Sequence, residues 1–295
     1  MLEIDYGVDH PGAGHKTSAA VSLEMDLARG LREGEFTLHY QPICSILNDR
    51  VVGVEALLRW KNASYGPMSP ATYIPVAERT GLIHDLGRWA LSTACEQLAK
   101  WDREDLVFPF VSVNVSPEQL QDAAFIGYVD EAIAAAGIEA TRVVLEITEG
   151  LRIQDIGHTR RVFEALRGRG IGVAVDDFGT GYSSLTYLQV LPLSKIKIDR
   201  SFVANLPSSR NDAAIVQALI GLARALDLDL VAEGVETEAQ RARLAELGCE
   251  YVQGWLMCKP ISADEVARRF AARTLWMEDL PDLLTFAHDR ILKGH

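Results

Sequence analysis

The chain has 295 residues, 48% of them apolar, and a formal net charge of −12. This is enough apolar length for one large α/β unit, while the negative charge disfavours nonspecific binding to DNA; an anionic substrate stays open if metal ions reverse the local sign. No apolar run reaches the ~18 residues of a membrane span, the first residues lack the basic-then-apolar pattern of a secretory leader, and Cys44, Cys95, Cys249 and Cys258 show no zinc or paired spacing, so reduced core thiols in a cytoplasmic setting are expected.

Residues 1–20 are polar and read as a linker or cloning remnant. Residues 21–273 form the candidate domain, and 274–295 a C-terminal helical extension. Leu23, Leu27 and Leu31 share one face of a helix. Phe36–Ile46 and Val51–Leu58 read as strands, with turn chemistry at Asn48 and Asp49. So short a connection requires an antiparallel pair. Further strands are expected at Val107–Val115, Val143–Ile147, Ile171–Val175, Lys195–Ile198, Leu228–Ala232 and Tyr251–Gln253. Helical patterns at Leu86–Trp101, Phe125–Ala136, Thr159–Arg167, Ala213–Ala225 and Glu238–Leu247 separate most of them. Alternation of this kind implies a parallel sheet. With the opening hairpin it makes eight strands, and the expected architecture is α/β: a modified TIM-type (β/α)8 barrel with an antiparallel first strand. A doubly wound open sheet is the alternative. Helical character continues at Ala263–Arg273 and Leu280–Leu292.

Polar residues interrupt or end these apolar strands: Glu55, Asn114, Glu146, the adjacent Asp176 and Asp177, Lys197 with Asp199, Glu233 and Gln253. Seven strands thus deliver polar groups near their carboxyl ends, which converge on one face of a barrel. Taken singly, several have bland readings. Asp176 and Asp177 could cap a helix, and Gln253 could be a satisfied barrel amide. Asn114, inside an apolar strand, is expected as a buried amide in need of partners. No structural need explains the whole series.

Glu55, Asn114, Glu146, Asp176 and Asp177 are hard oxygen donors suited to Mg²⁺ or Mn²⁺. Crowded carboxylates raise one another's pKa, and two ions about 3.5–4 Å apart would offset most of that charge. At a strand end the side-chain alternation breaks down, so both Asp176 and Asp177 can face the site. Two metals with a lysine suit phosphoester hydrolysis: Lys197 would orient water or stabilise developing charge, and Glu233 would serve as ligand or proton acceptor.

The motifs "EALLRW" (Glu55–Trp60), "VNVS" (Val113–Ser116), "EITE" (Glu146–Glu149), "DDFGTGYSSL" (Asp176–Leu185), "KIDRSFV" (Lys197–Val203), "AEGVE" (Ala232–Glu236) and "QGW" (Gln253–Trp255), with "LHYQPI" and "YIPVAERTGLI" upstream, resemble the EAL-domain cyclic di-GMP phosphodiesterases. The resemblance implies hydrolysis of cyclic di-GMP to linear 5'-pGpG. It implies metal binding by Glu55, Asn114, Glu146, Asp176 and Asp177, with Glu233 facing the metals and Lys197 contacting the catalytic water. Gln41, Arg59, Asp199 and Gln253 would lie at or near the substrate. Glu149 would brace the "DFGTG" loop, which couples to homodimerisation. Family members usually sit behind sensory or GGDEF domains, so a larger and membrane-anchored parent fits the pattern. A receptor that binds cyclic di-GMP without cleaving it is the alternative, and a sugar-phosphate or enolase-like barrel a more distant one.

Overall fold

A computed structural model describes residues 13–148, 155–179 and 188–271, with side chains placed from 23 to 270. Its strands are β1 (Phe36–Ser45), β2 (Val51–Asn62), β3 (Gly66–Met68), β4 (Val111–Asn114), β5 (Val143–Thr148), β6 (Gly172–Phe178), β7 (Lys195–Ile198), β8 (Asp229–Ala232), β9 (Tyr251–Val252) and β10 (Ile261–Ser262). Eight of them close a ring in the order β1-β2-β4-β5-β6-β7-β8-β9, and β9 pairs back onto β1. From β2 to β9 successive barrel pairs are parallel, whereas β1 is antiparallel to both neighbours. The fold is therefore the α/β barrel with an antiparallel first strand. The short β3 and β10 extend its rim.

Among the described residues, the parallel steps β2–β4, β4–β5, β5–β6, β7–β8 and β8–β9 each pass through an outer helix. The helices Leu82–Arg103, Phe125–Ala136, Ile156–Gly168, Arg210–Ala225 and Glu238–Glu246 coincide with the periodic segments of the sequence. Outward strand residues such as Val54, Val111, Val113, Val143 and Leu145 pack with Leu91, Leu98 and Phe163 of these helices. On the far side Ile196, Ile198 and Leu230 pack with Val216 and Ile220.

Three local features differ from the sequence reading. The strand expected from Val107 begins only at Val111; Pro109 has no N–H to give a ladder. The helix Pro70–Thr80 was not among the helical patterns expected from the sequence. Pro70 occupies the first turn, where a missing N–H costs nothing. The first helix, Ala13–Glu33, starts within the stretch read as a linker, and its Leu23, Leu27 and Leu31 join Phe36, Trp60 and Tyr73 in a third apolar cluster. The segment Leu280–Leu292, like residues 1–12 and 274–295 as a whole, lies outside the described residues.

The amino end of the barrel is plugged. A Cβ on Gly53 would stand 2.4 Å from the Phe110 ring, so only glycine leaves room for that ring. Lys195 lies 4.7 Å from its centroid and is ion-paired with Asp229. The opposite end is left to carry chemistry.

Candidate active site

Side chains of adjacent strand residues point to opposite faces, so apolar neighbours turn outward while Glu55, Glu146 and Lys197 point into the carboxyl end of the barrel. These three are 5%, 2% and 2% exposed. Strand register brings them level: Glu55 lies opposite Gln41, and Asn114 beside Glu146.

Lys197 is the centre of the cluster. Its Nζ lies 2.6 Å from Glu146, 2.6 Å from Glu233, 3.2 Å from Glu55 and 3.4 Å from Asp176. Burial alone would favour the neutral amine, but the four carboxylates outweigh it and hold Lys197 protonated far above its ordinary value. The acids divide by environment. Burial lifts the Glu55 carboxyl, yet Lys197 and hydrogen bonds from Gln253 and Asn114 bring it below the usual range. Burial and the nearby Glu55 push Glu146 well up. Burial, with Asp176 and Glu55 adding to it, raises Glu233 to about 8.

The pair on β6 reaches the site by a backbone device. Asp177 adopts φ of 54°, the left-handed region, and the register of β6 against β7 shifts between Val175 and Phe178. That conformation is costly for a residue with a side chain and concentrates at functional sites. It interrupts the alternation, so ligand atoms of Asp176, Asp177 and Glu233 all lie within 4.8 Å of one another. Burial, then Asp176 and Asp199, raises Asp177 to about 6. Three acids held this close, all of them pushed toward the proton, offer hard oxygen donors to a cation. The donor chemistry thus fits a divalent metal ion.

The remaining residues surround this centre. Asn114 donates to Glu55 Oε1 at 2.7 Å, but it is exposed at the barrel mouth, because β4 ends there; the expectation of a buried amide is corrected. Gln253 donates to Glu55 Oε2 at 2.7 Å and to Gln41 Oε1 at 3.2 Å, and Gln41 donates to the Cys258 carbonyl. Gln253 Oε1 is buried without a hydrogen-bond partner among the described residues, and the residue lines a cavity of about 250 Å³ together with Glu55, Asp176 and Glu233. Asp199 accepts from the Ser201 N–H at the start of the helix Arg200–Ala204 and borders Asp177. Arg59 is half-buried four residues beyond Glu55 on β2, its Nη1 donating to the Leu58 carbonyl. Glu149 lies outside the described residues, as does most of the loop after Gly179.

Sequence reasoning missed Gly254 and Trp255 as cavity walls. A Cβ on Gly254 would stand 2.1 Å from the Val235 carbonyl oxygen, which explains the glycine of "QGW". Trp255 is 58% exposed, with Lys259 Nζ 5.0 Å over its ring. The Gly-Trp pair directly after Gln253 in "QGW" was the available signal.

Comparisons with known proteins agree with this geometry. The family model for the EAL domain matches residues 24–260. The chain is 42% identical over 246 residues to the bifunctional diguanylate cyclase/cyclic di-GMP phosphodiesterase MucR of Pseudomonas aeruginosa, covering 83% of this chain and 36% of MucR. It is 39% identical over 246 residues to the cyclic di-GMP phosphodiesterase NbdA of the same organism, covering 83% of this chain and 31% of NbdA. The chain thus spans about a third of the length of these relatives. Among solved structures, the PaMucR phosphodiesterase in its c-di-GMP complex superposes with a TM-score of 0.78 at 41% identity, covering 83% of this chain and 99% of that one. The EAL domain of Mycobacterium smegmatis DcpA superposes with a TM-score of 0.69 at 38% identity, covering 81% and 97%. With the family model spanning most of the chain and the barrel shared, this protein belongs to the EAL domain family.

Proposed function

We propose that the chain is a metal-dependent phosphodiesterase that hydrolyses cyclic di-GMP to linear 5'-pGpG. The observation that carries this reading is the complete acidic cluster around a buried Lys197, in a chain whose relatives are named for this activity. Glu55, Asn114, Glu146, Asp176 and Asp177 would hold Mg²⁺ or Mn²⁺, in a pair of sites, with Glu233 at their edge. When bound, the ions would offset the carboxylate charge and polarise both the phosphodiester and the attacking water.

The chain's own groups supply the rest. Lys197, fixed in the protonated state, donates a hydrogen bond to the attacking water or to charge growing on the phosphate. Glu233, 2.6 Å from Lys197 at the edge of the acidic cluster, is placed to take up the water's proton once bound ions hold it ionised. Water oxygen bonds to phosphorus, the bond from phosphorus to a ribose 3'-oxygen breaks, and that oxygen leaves with a proton as the free hydroxyl of pGpG. Gln253 donates to the Glu55 carboxylate, and Gln41, accepting from Gln253, holds that amide in place. Arg59 offers a positive charge to phosphate, and Asp199 orders the chain beside Asp177.

The test is incubation with cyclic di-GMP and Mg²⁺ or Mn²⁺, followed by chromatography. Product should form only with metal and stop on addition of EDTA. Glu55→Ala or Asp176→Ala should lower turnover by at least ~10³-fold, the order of loss when a directly acting group is removed. Full activity of Glu55→Ala would refute the metal assignment. Tight binding with no product from the wild type would instead favour a nucleotide receptor. A larger cytoplasmic-facing parent with sensory or GGDEF domains, and homodimerisation near the Glu149 loop, belong to the same reading. Light scattering across a concentration series tests the dimer.

A further inference from the structure

The lumen of the barrel holds a polar side chain that plays no part in the chemistry above. Ser112 is the second residue of β4. It shares its face with Asn114, two residues on, whereas Val111 and Val113 point outward into the apolar cluster of the helices. Ser112 is fully buried, and its Oγ has no hydrogen-bond partner among the described residues. A buried hydroxyl without a partner costs stability. Alanine would fill nearly the same space without that cost, so packing does not account for a serine here.

Strand register names the group that Ser112 can serve. It is paired with Glu55 of β2 on one side and with Val144 of β5 on the other, and neighbouring strands lie only about 4.8 Å apart. One inward position below, the Phe110 ring fills the space that Gly53 leaves, so the floor is apolar. The Glu55 carboxylate is therefore the polar neighbour at the level of Ser112. It accepts from three donors: Asn114 Nδ2 at 2.7 Å on Oε1, and Gln253 Nε2 at 2.7 Å with Lys197 Nζ at 3.2 Å on Oε2. The Lys197 contact is the longest of the three. A cation settling on Glu55 repels the ammonium, so this is the bond that gives way. The Ser112 O–H rotates about Cβ–Oγ and has no other partner to leave, so it is free to take that place.

We infer that Ser112 is a positioning residue for the metal centre: its hydroxyl donates to the Glu55 carboxylate in the metal-bound state and holds it in the orientation that ligates the cation. The inference rests on the metal-dependent reading above and adds a layer of support beneath the ligands. Hydrogen-bond partners behind a ligating group typically govern metal affinity by roughly 10- to 100-fold. The geometry predicts opposite signs for the two states. Without metal, removing the hydroxyl relieves a buried polar group of its cost. With metal, it takes away a hydrogen bond.

The experiment uses Mn²⁺ alone as the probe. Free Mn²⁺ is followed by electron paramagnetic resonance during titration of the wild type, Ser112→Ala and Ser112→Cys, and the urea midpoint of each is measured in EDTA. Ser112→Ala should bind Mn²⁺ roughly 10-fold more weakly, while its midpoint in EDTA equals or exceeds that of the wild type. Ser112→Cys, whose thiol is a weak donor, should lie between the two in affinity. A Ser112→Ala that binds Mn²⁺ as tightly as the wild type overturns the assignment. So does one whose affinity and metal-free midpoint fall together, because that pattern marks packing damage. A wild type that binds no Mn²⁺ overturns the metal-dependent reading and this inference together.

Discussion

Lys197 carries a positive charge shared by four carboxylates in a nearly dry site. Removing one member of a buried ionic cluster leaves the others uncompensated, at about 3–5 kcal/mol. Lys197→Met should therefore unfold at markedly lower urea than the wild type when metal-free, and Mg²⁺ should restore part of the difference, because the ion replaces the missing charge. Turnover should stay low with metal present while nucleotide binding is retained. Equal urea midpoints for the two metal-free proteins would contradict the picture of an electrostatic centre. The thiols follow from the same physics of burial. Cys44, Cys95 and Cys249 are pushed up to about 12 by desolvation, against an ordinary value near 9. The folded chain keeps those protons while the unfolded chain loses them, so their contribution is fully present below pH ~9 and falls as pH rises toward 12. Urea midpoints measured from pH 8 to 10.5 should decline over the upper part of that range.

Among the elements, the strand ends decide how the site is presented. β6 would give only one of its two aspartates to the barrel mouth if it kept regular alternation; the left-handed Asp177 and the register shift deliver both. The segment after β9 works by close approach. Val235 and Gly254 exchange backbone contacts, with the Val235 N–H donating to the Gln253 carbonyl and the Leu256 N–H donating to the Val235 carbonyl. Gly254→Ala forces a methyl against that backbone, where no flexible side chain can move aside. It should cost about 3 kcal/mol, at the upper end of overpacking, and displace Gln253 from Glu55. A drop in urea midpoint together with reduced turnover would verify both consequences.

For the whole molecule, an overall charge of −12 and an acidic mouth favour cation binding, so divalent ions should enter the stability balance. A ligand held only by the folded state stabilises it by about 2.7 kcal/mol at 100 times its Kd. Mg²⁺ or Mn²⁺ should thus raise the unfolding temperature in proportion to the logarithm of its concentration, whereas an equal ionic strength of NaCl should not. A similar response to NaCl would reduce the effect to charge screening.

How far the chain reveals itself depends on the range of the forces involved. The barrel strands and most outer helices were legible because burial on one side imprints a period on local sequence, and a closed ring follows from the strand–helix alternation. The acidic residues were legible too, since charges at the ends of apolar strands have no packing purpose. Pro70–Thr80 escaped because its prolines mask a helix whose apolar face is paired only in three dimensions. Residue type alone could not show that Asn114 is exposed, that Asp177 turns left-handed, or that Gln253 keeps a free acceptor. Nor could it show Lys197 meeting Glu55 from 142 positions away. Local periodicity and composition therefore determined the kind of fold and the kind of chemistry; barrel closure alone decided which charges meet, because only closure brings distant strand ends to one place and removes the water that would otherwise screen them.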